Sequence, residues 1–110
     1  MRTSTSAIVA RNETWAGEAA TEPYEAAWAS EAIIFVRSLK APAGPGGSAR
    51  VEISPDGLHW VPEGTEIPLP TRKNEVTFAR IAHFGTWLRL TATLPEASTN
   101  TVLVTLHLKS

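Results

Sequence analysis

The 110-residue chain contains no cysteine. A disulfide framework, a thiolate metal site and a Cys nucleophile are therefore excluded. It also has no charge of one sign to spare: 10 Lys and Arg stand against 11 Asp and Glu, a net charge of -1. That leaves no electrostatic footprint for nucleic acid. Long apolar runs are missing too. The early patch Ala7 to Ala10 falls short of the roughly 7–15 residues of a signal peptide, and nowhere do about 18 apolar residues follow one another. The expectation is a soluble protein made in the cytoplasm with no membrane partner, able to leave a cell by lysis or inside a virion.

Cofactor and catalytic fingerprints are also scarce. The glycine-rich stretch Ala41 to Ser48 lacks the Lys-Ser/Thr of a phosphate loop, and no G-x-S-x-G occurs. The histidines, His59, His83 and His107, sit on separate elements without metal-ligand spacing. Asp56 with Glu52, Glu63 or Glu66 offers a carboxylate pair on paper, but acids beside a hairpin are ordinarily solvating charges. Asn12-Glu13-Thr14 is formally a glycosylation acceptor, which carries little weight without a secretory signal. The chain reads as a non-enzyme with no metal and no cofactor.

What is present is alternation. In "NTVLVTLHLKS", Val102, Val104, Leu106 and Leu108 oppose Leu103, Thr105, His107 and Lys109; in "TWLRLTATLP", Leu88, Leu90, Ala92 and Leu94 oppose Trp87, Arg89, Thr91 and Thr93. With the polar turn "PEASTN" between them, these two predict a β-hairpin with one buried face. "NEVTFARIA", "ARVEIS" and "EAIIFVRSLK" add three strands. "TSAIVAR" is a further strand, and short edge strands are expected around Trp15 and from Tyr24 to Trp28. Loops fall at Ala41 to Ser48, "SPDG", Val61 to Asn74 and "PEASTN", and turns every ten residues or so are the mark of a sandwich or barrel. One domain is implied, residues 1–30 forming an N-terminal arm or edge strands and residues 31–110 the sandwich. The expected core is Ile33, Phe35, Val51, Ile53, Val76, Phe78, Leu88, Leu90, Val102, Val104 and Leu106.

"ISPDGLHW" has its own logic. Pro55 and Asp56 suit the two central positions of a type I turn, and Gly57 takes the positive φ that closes a three-residue hairpin with a bulge. Ser54, Asp56, Gly57 and Trp60, followed by Trp87, Leu88, Arg89 and Leu90, resemble the pattern of discoidin-like, galactose-binding-like jelly rolls. The chain is shorter than those domains and lacks the paired cysteines of their extracellular members. "SPDG..W" and "G.(W/Y).R" also resemble small jelly-roll proteins of phage virions. The resemblance implies an all-β, antiparallel jelly-roll sandwich of about seven or eight strands, with an immunoglobulin-like sandwich as the alternative.

Four Trp in a chain this size is more than usual. Trp87 and Arg89, with Leu103, Thr105 and His107, are expected to line one sheet face that is too apolar for idle solvent and too polar for a core. Three readings fit such a face: a subunit contact, a sugar platform, or cover by another part of the chain. The leading expectation is a non-catalytic structural or accessory subunit of a larger assembly, such as a phage virion, acting through protein-protein contacts as a symmetric oligomer of three or more copies or on a particle shell. The alternative is a carbohydrate-binding module with Trp60 and Trp87 as stacking platforms and Asp56, His59 and Arg89 as polar partners, His107 being a further candidate binding residue.

Overall fold

The computed structural model describes residues 4–84 and 86–110. Among the described residues nine strands carry the fold: β1 (Ser4–Trp15), β2 (Glu18–Ala20), β3 (Tyr24–Glu25), β4 (Glu31–Ser38), β5 (Ser48–Ser54), β6 (Val61–Pro68), β7 (Val76–Ala82), β8 (Trp87–Thr93) and β9 (Asn100–Lys109). They form two antiparallel sheets, ordered β1-β9-β4-β7 and β2-β8-β5-β6, with β3 also on β8. β2 and β3 act as one interrupted strand: between them the Thr21 amide donates to the Leu90 carbonyl and the Leu90 amide donates to the Thr21 hydroxyl. Eight topological strands in this order make a jelly roll of two Greek keys, and the immunoglobulin-like alternative does not form. The first thirty residues supply β1 to the edge of one sheet and β2 and β3 to the edge of the other.

The strand order corrects the expected hairpin of the last two strands. β8 and β9 lie in different sheets, so residues 94–99 cross between layers instead of turning back. Each strand nonetheless buries one face, as its alternation requires: Leu88, Leu90, Ala92 and Leu94 from one sheet meet Val102, Val104, Leu106 and Leu108 from the other. At about 1.5–3 kcal/mol for each fully buried large aliphatic side chain, this seam supplies much of the force that holds the layers together. The segment Val61 to Asn74, expected to be a loop, contains β6, whose prolines and Gly64 mask a strand lying at a sheet edge. The pairing shifts register between Arg50 and Glu52 of β5, where β6 carries two extra residues between Pro62 and Glu66. Pro is tolerated there because an edge strand has a side with no ladder to donate to.

The expected core was wrong by one residue on β4 and β7. Ala32, Ile34, Val36 and Ser38 point inward on β4, while Ile33 and Phe35 lie on the outer face; on β7, Ile81 is buried and Val76 and Phe78 are exposed. Val51, Leu88, Leu90, Val102, Val104 and Leu106 are buried as expected, with Ile53 packed at the margin. A side-chain period of two fixes which residues share a face, and a one-residue misassignment inverts the whole strand. The signal that decides is the cation in the same register: Arg37 shares a face with Ile33 and Phe35, and Arg80 with Val76 and Phe78.

One buried polar knot ties the neighbouring strands β4 and β9 to the loop between β6 and β7. The Ser38 hydroxyl donates to Asn100 Oδ1 at 2.6 Å, and Asn100 Nδ2 donates to the Pro70 carbonyl at 3.0 Å. Both side chains are buried and both are satisfied, as burial of polar groups demands. The Pro/Gly loop is held as well: the Ala43 and Thr99 backbones exchange hydrogen bonds, and the Ser98 hydroxyl donates to the Pro45 carbonyl.

Candidate functional site

The loop after β5 is built around Ser54 and Asp56. The Ser54 hydroxyl accepts from the Asp56 and Gly57 amides and donates to Asp56 Oδ1, which also accepts from the Leu58 and His59 amides at 2.9 Å. Gly57 has the expected positive φ of 78°, and a Cβ there would come within 3.3 Å of the Trp87 ring. The hairpin differs from expectation in its loop, which spans residues 55–60 instead of three, because the Asp56 carboxylate organises the turn in place of a short backbone closure. The His59 backbone bond, the His59 ring at 2.7 Å and the Leu58 amide hold the Asp56 carboxyl well below its ordinary range.

Five of the six singled-out residues gather here. Arg89 on β8 lies over the Trp60 ring at 4.4 Å and meets Glu52 Oε1 through Nε at 2.8 Å and Nη2 at 2.7 Å. Asp56 and His59 form the tip, and Trp87 packs beneath Gly57. The sixth, His107, lies elsewhere. β9 belongs to the other sheet, so Leu103, Thr105 and His107 face the opposite side of the sandwich from Trp87 and Arg89. The single mixed face expected from the sequence is two faces.

The Trp cluster is largely self-satisfied. Arg89 occupies one face of Trp60, Glu52 neutralises Arg89, and Gly57 abuts Trp87. A Ser, an Asp and a His are in contact, but in the order Ser54–Asp56–His59: the hydroxyl serves the carboxylate and no base faces it, so Ser54 is not an activated nucleophile. Among the described residues no three His, Asp or Glu side chains converge as metal ligands.

The outer face of β1-β9-β4-β7 joins Leu103, Thr105 and His107, expected on a functional face, to Ile33, Phe35, Val76 and Phe78, expected in the core. One row crosses all four strands, Ile8, Thr105, Phe35 and Phe78 being successive cross-strand neighbours. Ile8 is 45%, Val76 47% and Phe78 49% exposed. Phe35 and Phe78 stand 5.9 Å apart, His107 meets the Phe35 ring edge-on at 5.2 Å, and Arg80 covers part of Phe78 at 5.3 Å. A shallow depression of about 480 Å³ runs along the same face between Ile33, Arg80, His107 and Lys109.

No family model matches the chain, and no curated protein is similar to it in sequence. Solved structures are similar in fold. The SPBc2 prophage-derived protein YomS superposes with a TM-score of 0.66 at 9% identity, covering 100% of this chain and 96% of that one. The catalytic unit of a thermostable GH87 α-1,3-glucanase from Streptomyces thermodiastaticus strain HF3-3 aligns with a TM-score of 0.39 at 10% identity, over 94% of this chain and 25% of that one. At such identities the first likeness establishes the β-sandwich fold, shared with a phage-derived protein, and the second carries no argument. The discoidin-like resemblance gains no family match, and in the "G.(W/Y).R" motif of the virion-protein resemblance the glycine, Gly85, lies outside the described residues.

Proposed function

We propose that this protein is a non-catalytic structural or accessory subunit of a larger protein assembly, with a phage virion as the concrete candidate. The observation that carries the reading is the row in which Ile8 and Phe78 are exposed and Phe35 half-buried, continued by Val76, on a sheet face that also carries Ile33 and Leu103. Contiguous apolar surface with an Arg and a His at its margin has the composition of a protein contact, where aromatic and Arg residues concentrate. The fold shared with a prophage-derived protein is compatible with that setting. The sugar-binding reading draws less support, since Arg89 already covers one Trp60 face and Trp87 is packed under the hairpin.

The test is mass spectrometry of particles purified from a culture that produces them, with Phe78→Glu as the companion variant. The wild-type chain is expected at a fixed copy number per particle, and Phe78→Glu, which replaces a half-exposed ring on the outer face, is expected to fold and be lost from the particle. A chain abundant in the cell and absent from every particle would overturn the reading.

A further inference from the structure

The two outer faces of the sandwich are unlike. On β2-β8-β5-β6 two ion pairs close within the chain, Glu18 with Arg50 and Glu52 with Arg89, and the exposed Leu58 and Val61 lie at its hairpin end. The face of β1-β9-β4-β7 is apolar at its centre and carries opposite charges side by side at one end, where Glu31 of β4 is the cross-strand neighbour of Lys109 of β9. Among the described residues neither side chain is in an ion pair. Opposite charges on neighbouring strands of one face allow that face to pair with a copy of itself, each charge meeting its opposite across a two-fold axis.

Resting on the assembly reading, we infer that the β1-β9-β4-β7 face packs against the same face of a second copy about a two-fold axis running along the strands between β9 and β4. The observed registers then set the contacts. β4 of one copy faces β9 of the other and β7 faces β1, so Phe78 meets Ile8, Phe35 meets Thr105, and Glu31 meets Lys109, each twice. An axis across the strands instead stacks Arg80 on Val76 and leaves Glu31 and Lys109 with no opposite charge before them. Four strands about 4.8 Å apart and seven rows of about 3.3 Å give roughly 450 Å² per copy. Two such faces bury on the order of 900 Å², close to the lower limit for a specific interface, so the pair is weak in solution and holds in the crowded lattice of an assembly.

The absence of cysteine makes the geometry testable. Ile8→Cys and Phe78→Cys are made separately, and each alone and an equimolar mixture are treated with a short bis-maleimide that spans the ~10 Å between packed sheets. The mixture is expected to give a covalent dimer that neither variant gives alone. Self-linking by Phe78→Cys, or no product in the mixture, overturns the pairing. By light scattering from about 1 μM to about 300 μM, Glu31→Lys and Lys109→Glu are each expected to weaken the dimer roughly tenfold and the double reversal to restore it. Single variants that associate like wild type would refute the charge register. A chain that stays monomeric yet is found in particles refutes this pairing alone; one that pairs yet is absent from particles refutes the virion reading alone.

Discussion

Removing Arg89 should loosen the hairpin and uncover Trp60 in one step. The guanidinium is 27% exposed, its partner Glu52 is 14% exposed, and both donors converge on one carboxylate oxygen. Its stacking over Trp60, partly desolvated, is worth about 1 kcal/mol. Breaking the half-buried ion pair adds about 2 kcal/mol, largely because Glu52 is left with an uncompensated charge. Arg89→Ala is therefore expected to cost about 3 kcal/mol, a large share of a total stability of roughly 5–15 kcal/mol. Arg89→Ala with Glu52→Gln should recover part of it, since no charge then remains stranded. Urea denaturation followed by tryptophan emission measures both, and Trp60 should also become more accessible to iodide quenching. A loss under about 0.5 kcal/mol, with quenching unchanged, would refute the account of a self-satisfied cluster. The same variant probes sugar binding, because it frees the covered face of Trp60: affinity for a glycan appearing only in Arg89→Ala would show that the native cluster blocks such a platform.

Two further outcomes follow from the register and the loop. Ile34→Ala should cost about 2–5 kcal/mol in the same denaturation assay, while Ile33→Ala, one residue away on the outer face, should cost much less; equal losses would mean the β4 register is misassigned. The Asp56 carboxyl, ordinarily titrating near 3.8, should remain ionised well below that in a carbon-13 titration. Because its folded value is lowered, its contribution is complete above the ordinary value and fades as pH falls below it toward the folded one. Titration at the ordinary value would show that the loop hydrogen bonds do not persist in solution.

The apolar face also explains why β4 defeated simple pattern reading. Ile33, Ile34, Phe35 and Val36 are apolar on both parities, so alternation offers no choice of side, and the bulkier pair suggested the core. The choice was nevertheless encoded in Arg37 and Arg80, which share the parity of Phe35 and Phe78. A cation in a strand marks the face that reaches water, and its apolar neighbours on that face are a surface. The candidate cluster at the hairpin was legible for a different reason: Ser54, Asp56, Gly57 and Trp60 are local, and hydrogen bonds spanning two or three residues are written in the spacing. The pairing of Glu52 with Arg89 was not legible because the two are 37 residues apart and become neighbours only through the β5–β8 ladder.

Sequence alone determined that this chain is a β-sandwich of short strands, which residues on most strands share a face, and that Gly57 must sit at a positive φ. Alternation and turn chemistry are local, and they survive in any arrangement of the strands. Tertiary structure alone decided that β8 and β9 part into different layers, that His107 is thereby removed from Trp87 and Arg89, and that β6 joins an edge despite its prolines. Pairing in a jelly roll joins strands distant in sequence, so it depends on which faces bury best together over the whole chain, a sum that no single stretch contains.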